Sequence, residues 1–258
     1  MITSLTNGKV KELVQLRDKA KERKKQDVFL VEGRKMLEEA PSERIQEVYV
    51  SEGYLEKRGT LGKLEQISFE AVSDEVFRKI SDTQTPQGVL CVVKQFHYEI
   101  KDLIKKKNPC LVLLEDIQDP GNLGTIFRTG EGAGIDGIIM SKGTVDLYNP
   151  KTIRSTMGSI YRMPFFYAES LADNIKGLQK MGVSVYAAHL HGRNNYEQED
   201  YTKGTAFLIG NEGNGLQEQT AALADTYIKI PMKGKVESLN AAVATALLMY
   251  EADRQRRK

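Results

Sequence analysis

Cysteine is scarce in this sequence of 258 residues, in which Cys91 and Cys110 are the only two. Both lie in or beside apolar runs and they form no C-x-x-C pair, so neither a disulfide framework nor a cysteine zinc site is expected. Histidine is also scarce. His189 and His191 are two residues apart, but no further ligands accompany them, and we expect no metal site. The two thiols should be buried and reduced.

Long apolar runs are absent as well. No run approaches the ~20 residues that a membrane span needs, and the first residues lack the charged-then-apolar layout of a signal peptide. We therefore expect a folded protein that has no membrane partner and lies in the cytoplasm. Apolar residues make up 40% of the chain, which is enough to build one large core or two ordinary ones at this length.

A strong net charge is missing too, since the formal balance is only +2. The distribution is nevertheless uneven, because eight Lys or Arg stand against three acids between Lys9 and Lys25. Val10, Leu13 and Leu16 recur there at helical spacing, which predicts a helix with an apolar stripe and exposed basic residues. Such a face is either simply solvated or a contact surface for nucleic-acid phosphates.

Two different patterns divide the chain. Before residue 101, short apolar runs at 29–31, 48–50, 67–69 and 89–93 alternate with helical stretches, which predicts a small α/β domain over residues 1–97. A lysine-rich linker follows over residues 98–109. Residues 110–258 form the second predicted domain.

The second domain alternates strands and helices throughout. Strands are predicted at 111–114, 137–140, near 165–166, and at 183–188, 206–209 and 227–230. This alternation predicts a mostly parallel sheet that is covered on both faces. Pattern alone favours an ordinary doubly wound fold, since knots are very rare.

The first strand of this domain runs into a polar turn and then a helix. Asn122 is a candidate N-cap for that helix. Arg128 lies six positions further on, and at ~100° per residue the two side chains converge only if Asn122 still belongs to the loop. The alternative is a capped amphipathic helix with a solvated arginine.

Two later strands also end in polar loops. Glu212 lies among closely spaced glycines, which indicate close backbone approach. Ser238 and Asn240 begin an alanine-rich helix, where capping alone needs one polar residue. Because ligands in α/β sheets bind at the carboxyl ends of strands, these loops should face one crevice. The structural alternatives are that Glu212 closes its own loop and that Asn240 only caps its helix.

Three motifs occur here in order: N-x-G-x-x-x-R-T from Asn122, I-G-N-E-G-x-G-L from Ile209, and I-P-M-x-G-x-V-E-S-L-N-A-A-V-A from Ile230. Together they resemble the motifs of the SpoU-type (TrmH/RlmB-like) RNA ribose 2′-O-methyltransferases of the SPOUT class. The resemblance implies a C-terminal SPOUT domain with a deep trefoil knot, preceded by a small α/β substrate-binding domain similar to ribosomal protein L30e. It also implies S-adenosylmethionine as cofactor, ribosomal RNA (or else transfer RNA) as partner, and a homodimer whose sites are completed by the second subunit.

The resemblance also implies roles for individual residues. The catalytic group would be Asn122, Arg128, Glu212, Ser238 and Asn240. Gly210, Ile230 and Leu239 match family positions that contact the cofactor. Backbone groups near these residues are expected to read the adenine, so the full cofactor-binding group also includes Ala188, His189, Leu208, Ile209 and Met232. A guanidinium stays protonated at physiological pH. Arg128 is therefore expected to steady a substrate phosphate and the developing alkoxide rather than to act as a base.

Two other functions are compatible with this fold class. One is a SPOUT methyltransferase that acts on a base, against which the N-x-G-x-x-x-R and S-L-N segments argue. The other is a non-catalytic RNA-binding or ribosome-assembly protein that kept the fold. The presence of Arg128, Glu212 and Asn240 disfavours the second alternative.

Overall fold

The chain forms two compact units in a computed structural model that describes residues 1–57 and 62–257. One unit comprises Met1–Phe96 together with Asp146–Tyr161. The other comprises His97–Val145 together with Arg162–Lys258. The chain thus contributes to the first unit twice. In the sequence, the second of these segments lies between the two segments of the second unit.

Helices and strands alternate along most of the described chain. The helices are α1 (Gly8–Asp18), α2 (Ala20–Gln26), α3 (Arg34–Glu39), α4 (Glu52–Glu56), α5 (Asp74–Ile80), α6 (Ile100–Leu103), α7 (Pro120–Gly132), α8 (Pro150–Thr156), α9 (Leu171–Lys180), α10 (Glu218–Ala221) and α11 (Ala241–Arg256). The strands are β1 (Val28–Glu32), β2 (Ile45–Ser51), β3 (Glu70–Val72), β4 (Val89–Lys94), β5 (Cys110–Leu114), β6 (Gly137–Ser141), β7 (Phe165–Ala168), β8 (Ser184–Ala188), β9 (Asn194–Asn195), β10 (Thr205–Ile209) and β11 (Thr226–Lys229).

The first unit contains a four-stranded sheet in the order β1-β4-β2-β3. Strand β4 is antiparallel to β1 and β2, whereas β2 and β3 are parallel. The strand predicted at 67–69 was misplaced, because the pairing segment begins at Glu70. Phe69 is 37% exposed, whereas Val72 is fully buried. The side chain of Val72 reaches the core and therefore sets the pairing register of β3.

The basic N-terminal segment folds as two helices rather than one, since Lys19 adopts an extended conformation between α1 and α2. Val10, Leu13 and Leu16 are buried as predicted. Arg23 contradicts the expected exposure of the basic residues, because it is only 3% exposed. Its guanidinium donates to the carbonyl of Leu16 at 2.7 Å and to Asp146 Oδ2 at 2.6 Å, and therefore ties the end of α1 into the interior of the first unit.

The second unit contains a seven-stranded sheet in the order β7-β6-β5-β10-β8-β11-β9. All of its neighbouring strands are parallel, which confirms the predicted parallel sheet. Strands β5 and β10 are buried along their whole length, as expected of strands covered on both faces. Because β10 lies between β5 and β8, and β11 lies beside β8, the loops that follow these four strands leave from one edge of the sheet.

Both cysteines are free and buried, as predicted. Burial raises the pKa of the Cys91 thiol to about 12 and that of Cys110 to about 11, so both stay protonated at neutral pH. Within residues 1–57 and 62–257, no helix is long and apolar enough to cross a membrane. The same residues contain no group of three His, Cys, Asp or Glu side chains arranged to hold a metal ion.

Candidate active site

The loop after β5 is held in a left-handed bend at Asp116, where φ is +54°. Ser141, at the end of β6, donates to Asp116 Oδ1 at 2.6 Å and accepts from the Asp116 amide at 2.8 Å. The side chain of Gln118 donates to the carbonyl of Gly143 at 2.6 Å. These bonds fix the backbone that carries the amides of Gln118 and Asp119.

Helix α7 begins earlier than predicted. Its N-cap is Asp119, whose carboxylate accepts the amide of Asn122 at 2.8 Å, and Pro120 occupies the first helical position. This start is favourable because proline has the required φ and no amide to satisfy. Asn122 therefore lies on the helix rather than in the loop. The predicted role of Asn122 as N-cap is wrong, and the condition for its convergence with Arg128 is not met.

The loop after β10 closes on itself. Asn211 Oδ1 accepts the amides of Gly213 and Asn214, at 2.9 and 3.0 Å. A Cβ at Gly210 would lie 2.2 Å from the backbone carbon of Gly215, so only glycine fits at position 210. The close backbone approach that the glycines indicated is thus made by the loop itself, and it places Glu212 at the tip.

Glu212 is anchored to the loop after β5. Its Oε2 accepts the amide of Gln118 at 3.0 Å, and its Oε1 accepts the amide of Asp119 at 3.1 Å and Asn122 Nδ2 at 3.0 Å. Desolvation raises the pKa of the Glu212 carboxyl, but the bonds from Asn122, Gln118 and Asp119 outweigh it and hold the pKa below its usual value. Glu212 is therefore an ionised acceptor that orients Asn122 as well as the loop.

Asn240 continues this network from the start of α11. Its Oδ1 caps the helix by accepting the amides of Ala242 and Val243, at 2.9 and 3.3 Å, and its Nδ2 donates to Asn122 Oδ1 at 2.9 Å. Donation thus runs in one direction, from Asn240 to Asn122 to Glu212. Since an amide nitrogen carries two N–H groups, each asparagine keeps one donor for a further partner.

Two cavities meet at this network. The smaller one, of about 460 Å³, is lined by Asn122 and Asn240, and the larger one has a volume of about 920 Å³. Their walls have four residues in common, which are Glu212, Ser238, Leu239 and Ala241. The larger volume is within the range of cofactor sites. A molecule in either cavity would therefore meet Ser238 at the boundary.

Most of the predicted cofactor residues surround the larger cavity. Those that line it are Ala188, His189, Ile209, Gly210, Ile230, Met232 and Leu239. Leu208 does not, because its side chain is fully buried in the core of the second unit. Alternation along a strand explains this difference, since consecutive residues of β10 point to opposite faces.

Arg128 is the one predicted catalytic residue that the chain does not bring to this place. It is exposed on α7 and lines neither cavity. Its side chain makes no hydrogen bond or ion pair within the described part of the chain. Thr125, which precedes it by three positions, borders a third cavity of about 540 Å³ along the outer face of α11.

Several residues at the site were not predicted. Asp119 and Gln118 hold Glu212 with their amides, and His191, Lys229 and Glu237 line the larger cavity. The Asp-Pro pair at positions 119 and 120 is a signal for a helix start and could have located both the N-cap and the loop. No sequence rule would have found His191, Lys229 and Glu237, because the folding of separate loops brings these three residues to the wall.

Comparison with known proteins identifies the family. A model of the SpoU rRNA Methylase family matches residues 109–250, and a model of an MRM3-like substrate binding domain matches residues 7–91. The chain is 34% identical over 251 residues to the 23S rRNA (guanosine(2553)-2′-O)-methyltransferase RlmP of Bacillus subtilis, covering 96% of this chain and 97% of that protein. It is 30% identical over 244 residues to the 23S rRNA (guanosine-2′-O-)-methyltransferase RlmB of Shewanella oneidensis, covering 91% and 99%.

Solved structures agree in fold over nearly the whole chain. The SpoU methyltransferase AviRb from Streptomyces viridochromogenes, in complex with AdoMet, has a TM-score of 0.85 at 26% identity and covers 98% of this chain and 99% of its own. An AdoMet-bound rRNA methyltransferase from Sinorhizobium meliloti has a TM-score of 0.83 at 32% identity and covers 98% and 97%. The predicted α/β fold of the SPOUT class is confirmed. The chain belongs to the SpoU rRNA methylase family, and its cofactor is S-adenosylmethionine.

Proposed function

We propose that this methyltransferase transfers the methyl group of S-adenosylmethionine to a ribose 2′-hydroxyl of ribosomal RNA. The observation that carries the proposal is the pair of adjoining cavities, with Ser238 at their boundary and the Asn240–Asn122–Glu212 network beside the smaller one. Two relatives that match over most of the chain are named as ribose methyltransferases of 23S rRNA, which supports the same acceptor.

The larger cavity suits the cofactor. Ile209, Ile230 and Leu239 supply apolar walls, and the loop backbone at Gly210 supplies polar groups that need no charge. Such a lining matches a ligand with an apolar purine face and a polar edge. When bound there, S-adenosylmethionine supplies the electrophilic methyl group, and the chain supplies its orientation towards the boundary with the smaller cavity.

The smaller cavity would hold the acceptor ribose, and its residues work mainly by positioning. The free N–H groups of Asn122 and Asn240 would donate to ribose or phosphate oxygens, while the Ser238 hydroxyl would bond the acceptor at the boundary. Glu212 is ionised but already accepts three bonds from the chain. Its role is therefore to orient Asn122, and we do not assign it the proton of the acceptor hydroxyl.

The first unit would bind the RNA. Its four exposed lysines on and beside α2 form a basic face, and they are Lys19, Lys21, Lys24 and Lys25. Phosphate contacts from such a face give affinity without sequence preference. The match of residues 7–91 to a substrate binding domain supports this division of labour, with residues 98–109 as a linker and 110–258 as the methyltransferase domain.

Alkaline hydrolysis tests the acceptor directly. RNA labelled by the enzyme with a radioactive methyl group should give alkali-resistant labelled dinucleotides, because a methylated 2′-oxygen cannot attack the adjacent phosphate. Labelled mononucleotides would instead show a base methyltransferase. A non-catalytic RNA-binding protein would leave the RNA unlabelled. It would also show no cofactor binding in calorimetry. Ribosomal and transfer RNA serve as parallel substrates, and 2′-O-methyl mapping with and without the gene should locate the nucleotide.

The outer face of α11 supports a homodimer. Val243, Leu247 and Tyr250 are 49%, 37% and 47% exposed, at the i, i+4 and i+7 spacing of one helix face. They line the third cavity together with Thr125 of α7. An exposed apolar stripe of this kind is suited to isologous packing against a second copy. The exposed Arg128, one turn beyond Thr125, would then serve the site of the partner.

Leu247→Glu should convert this dimer into a monomer, because a carboxylate cannot be buried in an apolar interface without a partner. We expect methyl transfer to fall by at least about tenfold, with circular dichroism unchanged. Sedimentation velocity measures the oligomeric state. Met181→Glu is the matched control, since Met181 is 54% exposed in the turn after α9, away from the stripe. A monomer with full activity would refute the proposal.

A further inference from the structure

The charged side chains around the larger cavity are few. In the part of the chain that the structure describes, Glu212, Lys229 and Glu237 are the Asp, Glu, Lys or Arg residues that line it. Glu212 is bound to the loop after β5. Glu237 and Lys229, by contrast, make no hydrogen bond or ion pair with another described side chain. One negative and one positive charge at the cavity wall are therefore left without a partner among the described residues.

The cofactor carries three charges in the part that reacts. Its methionine moiety has a carboxylate and an ammonium group, and the sulfonium adds a second positive charge. Methyl transfer removes only the sulfonium charge, so the product S-adenosylhomocysteine keeps the other two. A carboxylate beside the sulfur would therefore attract the cofactor more strongly than the product, whereas one beside the ammonium would attract both alike.

The position of Glu237 decides between these two places. It directly precedes Ser238 and Leu239, which belong to the walls of both cavities. With the acceptor in the smaller cavity, as proposed, the methyl group would leave the larger cavity at that shared boundary, and the sulfur would lie next to it. Glu237 and Lys229 both line the larger cavity and not the smaller one. Lys229, at the end of β11, is not adjacent in sequence to any residue that the two cavities share, whereas Glu237 is.

We propose that the Glu237 carboxylate faces the cofactor sulfonium and that the Lys229 ammonium faces the cofactor carboxylate. Glu237 is then a residue that discriminates the methyl donor from the spent product and favours exchange after each turnover. This assignment rests on the proposed place of the acceptor in the smaller cavity, but not on whether that acceptor is a ribose or a base. Because Glu237 is exposed, its charge is partly screened, and the effect should be modest.

Calorimetry with three ligands tests the proposal on the full-length protein without RNA. Glu237→Gln should weaken S-adenosylmethionine about fivefold and S-adenosylhomocysteine by less than about twofold. Sinefungin, which carries a protonated amine in place of the methylated sulfur, should lose affinity as the cofactor does. The ratio of the two losses is measured within one variant, so a general loss of folded protein cannot imitate it.

Two lysine variants complete the test. Lys229→Gln should weaken all three ligands equally, because all three keep the carboxylate. Lys235 is an exposed lysine outside the cavity, two positions before Glu237. Lys235→Gln should leave the affinity for each of the three ligands unchanged. Equal loss of cofactor and product in Glu237→Gln, or no loss at all, would overturn the assignment of Glu237. Unchanged binding in Lys229→Gln would overturn that of Lys229. Since no RNA is present, failure of the proposed ribose acceptor would leave these results unchanged.

Discussion

Asn240→Asp should keep helix α11 intact and lose most of the methyl transfer. A carboxylate at this position can still accept the amides of Ala242 and Val243, so the cap survives. It cannot donate to Asn122, and its charge would repel Glu212. Removal of a positioned donor typically costs ~10²-fold in rate. We expect a loss of that size at a melting temperature close to that of the wild type.

The comparison with Asn240→Ala separates the two roles of this residue. Alanine removes the donor and also the cap, so it should cost about 1 kcal/mol of stability besides the activity. Asn149→Asp is the matched control, because Asn149 caps α8 by accepting the amide of Lys151 and has no part in the site. Asn240 does not line the cofactor cavity, so S-adenosylmethionine affinity should stay within a fewfold. Near-normal turnover by Asn240→Asp would leave Asn240 as a cap alone.

Much of the second unit could be predicted from the sequence because its signals are local. The apolar runs gave the strands β5 and β10, and the polar loops after them led to Glu212 and Asn240. Parallel strands place their carboxyl ends at one edge, which is why Asn122, Glu212 and Asn240 could be expected to meet. The deep trefoil knot has no such local signal and stays a prediction from the family resemblance. The cytoplasmic location stays a prediction from composition.

The errors differ in whether the sequence could have avoided them. Arg23 belongs to a basic run, yet it is buried because carbonyls at the end of α1 and Asp146 accept its donors. Leu208 is not among these errors, because the alternation of β10 turns only its side chain into the core, and its expected backbone contact with the cofactor stays a prediction. The N-cap of α7 was predicted three positions too late, at Asn122 instead of Asp119, although the local Asp-Pro pair is a signal for a helix start. The tertiary partners of Arg23, by contrast, are contained in no single-sequence pattern.

Arg128→Ala should also lower the rate of methyl transfer by ~10²-fold or more, since a positioned cation at the developing charge is lost. Arg128 is exposed on α7 and lies outside both cavities of its own chain, which agrees with the proposal that it serves the site of the partner. Arg128→Lys should restore only part of the activity, because an ammonium keeps the charge but not the planar fork that binds phosphate. Cofactor affinity, measured by calorimetry, should be unchanged in both variants.

Mixed dimers show which subunit receives the arginine. A dimer of one Arg128→Ala chain and one Asn240→Asp chain contains one site with both defects and one intact site if Arg128 acts across the interface. Random mixing should then recover about a quarter of wild-type turnover from two nearly inactive parents. If Arg128 acts within its own chain, every site keeps one defect and no activity returns. Recovery would fail in a Leu247→Glu background, and that control ties the result to the α11 stripe. Full turnover by Arg128→Ala alone would instead leave this arginine as a solvated helix residue.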